Sequence, residues 1–124
     1  VQTILRRAGK LKQEEVLSFN NGQLQINIPR YQVEVGGKEV ELTPIEFKLL
    51  VGMARSPGRV YSRLELLEKV QPDMYEGYER SIDVHIKNLR KKIEQNTKNP
   101  NFIITVFGMG YKFGGKPHAT YPKS

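Results

Sequence analysis

The chain of 124 residues contains no cysteine and no tryptophan. The lack of thiols excludes a disulfide framework, a thiol nucleophile and any thiolate metal site. It fits a reducing compartment, and the chain is expected to be cytoplasmic. Histidine is nearly as scarce, with His85 and His118 alone. No apolar run approaches the ~20 residues that span a bilayer. No charged-then-apolar leader marks secretion. There is no Ser–His–acid set, phosphate-binding loop, metal-ligand spacing or internal repeat. Asp73 and Glu76, or Asp83 near His85, are carboxylate and imidazole pairs of the kind acid–base chemistry uses. Yet residues 83 and 85 diverge on a helix, and His118 lies in a polar tail. No enzyme, cofactor or metal is expected.

What the chain has is positive charge, with a net +7 and a pI near 9.7. Arg80, Lys87, Arg90, Lys91 and Lys92 outnumber Glu79, Asp83 and Glu94, and Lys98, Lys112, Lys116 and Lys123 follow with no acid among them. A basic field there attracts polyanions, nucleic acid before membrane. A length of 124 residues is one domain's worth.

The chain begins at Val1 without an initiator Met and reads as a fragment. Residues 1–21 read as the end of a preceding domain and a linker, with Leu11, Val16, Leu17 and Phe19 able to dock its end. From Gly22 the period is two: Leu24, Ile26 and Ile28, then Tyr31, Val33 and Val35, with a turn at Gly36-Gly37 before Glu39-Val40-Glu41-Leu42. This predicts an antiparallel meander with one buried face. Thr43-Pro44-Ile45-Glu46 is a capping box with Pro at the first helical position, and Leu42 and Phe47 form its staple. Phe47, Leu50, Met53 and Ala54 continue the stripe to Ser56-Pro57-Gly58. Ser62-Arg63-Leu64-Glu65 is a second capping box, stapled by Tyr61 and Leu66, with Leu64, Leu67 and Val70 on its apolar face.

A third helix spans about 80–94. Ile82, Ile86, Leu89 and Ile93 share one face. Arg80, Lys87, Arg90 and Lys91 lie mostly on the other sides, with Val84 and Asn88 among them. Such a helix is either a solvated surface element or a basic face aimed at phosphate, with Asn88 and Val84 for base edges. After polar residues to Asn101, Phe102–Val106 and Tyr111–Phe113 flank a glycine turn and predict a closing hairpin. Gly114–Ser124 is a polar tail.

Four pieces carry a resemblance: Glu41-Leu42-Thr43-Pro44-Ile45-Glu46-Phe47-Lys48-Leu49-Leu50, Arg59-Val60-Tyr61-Ser62-Arg63, Ser81–Ile93, and Gly108-Met109-Gly110-Tyr111-Lys112-Phe113. The chain resembles the DNA-binding effector domain of response regulators of the OmpR/PhoB type. The resemblance implies an α+β winged helix-turn-helix: an N-terminal antiparallel sheet, three helices and a C-terminal β-hairpin wing. It divides the chain into residues 1–21 (end of a receiver domain and linker), 22–114 (winged helix) and 115–124 (tail). Ile4-Leu5-Arg6-Arg7 looks like the end of the receiver's last helix, and the phosphorylated aspartate would lie in that receiver.

The implied function is sequence-specific duplex DNA binding in transcription control, under a sensor kinase and as a homodimer on DNA. The helix from about Arg80 would lie in the major groove. Asp83, Val84, Lys87 and Asn88 occupy the family's base-contact positions. Arg63, Arg80, Ser81, His85 and Arg90 occupy phosphate-contact positions, and Thr105 and Tyr111 are wing positions that reach the backbone. Where the family commonly has Arg before the wing glycine, reaching the minor groove, this chain has Phe107, so no guanidinium reads there and Met109 and Lys112 are the other wing candidates. Gln71 stands where the family often has Trp. The loop with Asp73, Met74, Tyr75, Glu76 and Tyr78 either folds back on the core or meets a protein, and in this family the equivalent loop can contact RNA polymerase. The rival reading is a winged helix that binds protein or RNA without reading duplex sequence.

Overall fold

The first sheet is antiparallel and four-stranded, in the order β1-β2-β3-β4: β1 Val16–Phe19, β2 Leu24–Asn27, β3 Gln32–Val35 and β4 Lys38–Val40. This computed structural model describes residues 15–70 and 80–117. The expectations for residues 1–14, for Gln71 and the loop with Asp73, Met74, Tyr75, Glu76 and Tyr78, and for the tail from His118 lie outside the described residues.

The period-two reading holds where it was strongest. Leu24, Ile26 and Val33 are buried while Gln25, Gln32 and Glu34 face outward. Gly36 and Gly37 both take positive φ, 61° and 85°, and let Val35 pair with Lys38. That backbone is the one that matches strand twist in a two-residue hairpin.

Two readings change. The sheet begins before Gly22: Val16–Phe19, read as the end of a linker, pairs with β2 in register Val16↔Asn27 to Phe19↔Leu24. Phe19 is buried and meets the Phe113 ring edge-on at 4.6 Å. Contacts with the sheet also continue past residue 114. Phe19 bridges Pro117, and the Asn20 amide and side chain hold Lys116. Tyr31 is outside β3. Its φ of 54° puts it in a turn, where its ring stacks on Phe47 at 4.8 Å.

Both capping boxes form. Thr43 Oγ1 accepts from the Glu46 amide while Glu46 Oε1 accepts from the Thr43 amide, opening α1, Pro44–Ala54. Ser62 and Glu65 repeat this exchange and open α2, Arg63–Val70. Capping of this kind contributes ~1 kcal/mol per helix end. Glu46 is buried and meets Lys92 Nζ at 2.6 Å. Burial alone would raise its pKa; the Lys92 ammonium and the Thr43 amide outweigh that and hold it below the ordinary 4.5.

Helix α3, Arg80–Ile93, sets Ile82, Ile86, Leu89 and Ile93 wholly into the core. Burial of such side chains contributes ~1.5–3 kcal/mol each. Helix α1 packs on both α2 and α3. Asp83 sits in the first turn of α3, and Arg90, Lys91 and Lys92 in its last, each charge favourable to the helix dipole.

The second sheet has the order β5-β7-β6: β5 Val60–Tyr61, β6 Ile103–Val106 and β7 Gly110–Phe113. The predicted closing hairpin is β6-β7. Strand β5 joins it through Val60↔Lys112 and Tyr61↔Tyr111. Two residues are too few to show a period, so this third strand is invisible in sequence. The whole is a winged helix: sheet, three helices, wing. No described helix is long and apolar enough to cross a membrane.

Candidate nucleic-acid interface

The burial of the isoleucine seam fixes what α3 presents outward. Arg80, Val84, Lys87 and Lys91 are exposed, and Ser81, Asp83, His85, Asn88 and Arg90 are half-buried. Val84 is 57% exposed, unusual for an aliphatic side chain with a core one turn away. The outer face thus offers a guanidinium, ammonium groups, an amide and a methyl-bearing surface.

The structure joins three of the predicted residues in one node. The Asp83 carboxylate takes Arg63 Nη1 at 2.9 Å on one oxygen and the Tyr111 hydroxyl at 2.6 Å on the other. It therefore ties the start of α3 to α2 and to the wing. The family resemblance implies that Asp83 faces bases and that Arg63 and Tyr111 reach the backbone. Here they satisfy one another. The Asp83 charge also moderates Arg63.

Burial pushes the Tyr111 hydroxyl up, and the Asp83 carboxylate adds to this, to about 12 from 10.0. A raised folded pKa means that this group's contribution is complete below pH 10 and is lost as pH rises through the folded value. Between pH 10 and about 12 the wild-type urea midpoint is expected to fall more steeply than that of Tyr111→Phe. Parallel declines in the two proteins would remove Tyr111 as the titrating group.

Arg90 is engaged in the same way. Its Nε and Nη2 donate to the Ile103 carbonyl at 3.0 and 2.8 Å, and Nη2 also donates to Thr105 Oγ1 at 2.7 Å. Its guanidinium lies 5.6 Å from the centre of the Tyr111 ring. The expected phosphate contacts at Arg90 and Thr105 are thus partners to each other, fastening β6 to α3.

One residue missed in sequence does more of this fastening. Glu94, 8% exposed, accepts from the amides of Asn101, Phe102 and Ile103 at 2.7, 3.0 and 2.8 Å. An acid at a helix C-terminus opposes the dipole. That misplacement is the signal that could have marked it as holding something.

Between the N-terminal ends of α2 and α3 and the wing lies a cleft of about 450 Å³. Ser62, Arg63, Asp83, Thr105, Phe107 and Tyr111 are among its lining residues. Met109 lines it too, whereas Lys112 does not. Alternation along β7 puts Lys112 on the opposite face from Tyr111. Among the described residues no cluster of His, Asp or Glu could hold a metal ion.

Residues 37–113 match the family described as "Transcriptional regulatory protein, C terminal". The chain belongs to this family. It is a C-terminal effector domain of the OmpR/PhoB response-regulator type. The DNA-binding response regulator MtrA of Mycolicibacterium smegmatis is 41% identical over 100 residues, covering 81% of this chain and 43% of MtrA. The DNA-binding domain of RstA from Klebsiella pneumoniae, in its crystal structure with the RstA box, aligns with a TM-score of 0.72 at 38% identity. That alignment covers 84% of this chain and 99% of the RstA domain. DrrB of Thermotoga maritima, an OmpR/PhoB homolog, aligns with a TM-score of 0.71 at 35% identity, over 80% of this chain and 44% of DrrB. The chain therefore spans less than half the length of MtrA and DrrB.

Proposed function

We propose that this effector domain binds duplex DNA sequence-specifically and so controls transcription. The carrying observation is the split of α3. One face is sealed into the core, and the other presents Arg80, Val84, Lys87 and Asn88 beside the cleft shared with the wing. A helix of this kind fits the major groove, where Asn pairs bidentately with adenine and an aliphatic side chain meets the thymine methyl. Val84, Lys87 and Asn88 read bases; Arg80, Ser81 and His85 position the helix on phosphates, and Arg63 does so from α2. Asp83, Arg90, Thr105 and Tyr111 hold these elements in register.

The domain's other relations are parts of the same reading. A receiver domain and linker precede it, a sensor kinase acts on that receiver, and two copies sit together on DNA. The likeness to MtrA, a DNA-binding response regulator, supports the place of this domain in a response regulator. The domain is not an enzyme and works in the cytoplasm, where the chromosome lies.

Asn88→Ala tests the base-reading role. Binding to a site selected from a random library is expected to weaken ~5- to 150-fold, the worth of one bidentate pair. Binding to scrambled duplex should stay within about twofold. Equal losses on both duplexes, measured by fluorescence anisotropy, would end the proposed role of Asn88.

A further inference from the structure

Four large hydrophobic side chains stand exposed among the described residues: Tyr31, Val84, Phe107 and Met109. Stacking on Phe47 accounts for Tyr31, and the outward face of α3 for Val84. Phe107, 90% exposed, and Met109, 63% exposed, sit together at the wing tip and have no such account.

The hairpin aims them. The Met109 amide donates to the Val106 carbonyl at 2.9 Å, and Gly108 has a φ of 78°. This is the turn that needs a glycine at its third position and puts Phe107 at the corner before it. The base of the hairpin is held. Arg90 fastens Ile103 and Thr105, and a Cβ at Gly110 would collide with the Tyr61 carbonyl, so β7 lies close against β5. From Ile104 to Tyr111 no residue is charged. The tip therefore has no ion pair to offer a phosphate, although Arg63 shares its cleft. A narrow, uncharged, apolar tip on a fastened base suits a groove about 6 Å wide. Phe and Met are among the side chains that enter the minor groove as wedges and unstack base steps.

We propose that Phe107 and Met109 form an apolar wedge that enters the DNA minor groove beside the α3 site and partly unstacks one base step. This rests on the DNA-binding reading above. The wing then reads deformability: a pyrimidine–purine step such as TA opens readily, whereas an A-tract is stiff. Preference arises at positions where no hydrogen bond is made.

The test uses the whole chain and duplexes that share the library-selected site but differ in the flanking step, TA or A-tract. A 2-aminopurine base at that step reports unstacking. The wild type is expected to favour the TA flank by roughly tenfold and to raise the 2-aminopurine fluorescence. Phe107→Ala should abolish both effects without changing the salt slope, and Phe107→Leu should keep most of each. Phe107→Arg should steepen the slope by about one phosphate's worth. No flank preference and no fluorescence change in the wild type would overturn the wedge, as would Phe107→Ala behaving like wild type. A wild type unable to distinguish the selected site from scrambled duplex would instead overturn the DNA-binding reading, and the wedge with it.

Discussion

Glu94→Ala is expected to remove roughly 3–5 kcal/mol of folding stability, as much as emptying a large core site. Three backbone amides, of Asn101, Phe102 and Ile103, give their hydrogens to this one carboxylate. The bonds at Phe102 and Ile103 are buried. A buried amide left without an acceptor costs ~1–3 kcal/mol, and bonds to a charged group lie at the upper end. Water has poor access to repair the loss. Glu94→Gln keeps the shape but turns one acceptor into a donor facing amide hydrogens, so an intermediate loss is expected. Urea unfolding checks this. The midpoint should fall with little change in slope. A Glu94→Ala shift worth under about 1 kcal/mol would show that the three amides find other acceptors.

Glu94 also marks where reading from sequence stopped. Helix caps were legible because they are local: Thr43 and Glu46, or Ser62 and Glu65, lie three residues apart and satisfy each other's backbone groups. The α3 seam was legible because burial imposes a period, and the Gly36-Gly37 turn because few residues tolerate positive φ. Strand β1 was not. Val16-Leu17-Ser18-Phe19 has no alternation, Ser18 and Phe19 are both buried, and its place depends on Leu24–Asn27 and on Lys116 and Pro117 near the far end of the described chain.

The contacts among the candidate site's polar residues were not legible in sequence for a related reason. A charged residue on the polar side of a helix looks the same whether it faces water, DNA or another element. Asp83, Arg90 and Glu94 face the wing and Lys92 faces Glu46 of α1, and only the folded arrangement of residues 101–113 and of α1 separates them from Arg80 and Lys87. The reading of Arg80, Val84 and Lys87 as an outer face needed only the position of the seam. The division of labour among the remaining polar residues needed the hairpin's position.

Arg90→Ala is the experiment in which that division matters most. By the family resemblance, Arg90 is a phosphate contact. Its removal would then lower the salt slope of binding by about 0.9. In the folded domain Nε and Nη2 are already spent on the Ile103 carbonyl and the Thr105 hydroxyl. The expected result is therefore different. Stability falls by ~2–3 kcal/mol, since charged hydrogen bonds to β6 are lost. Affinity falls roughly tenfold on selected and scrambled duplexes alike, because the wing is no longer oriented, while the salt slope stays unchanged. Arg90→Lys should recover only part of either loss, because an ammonium lacks the rigid fork that reaches both acceptors. Unfolding measurements and salt titrations on the same proteins decide the matter. A slope reduced by about one with stability intact would return Arg90 to the phosphate backbone and leave Asp83 and Glu94 to hold the wing without it.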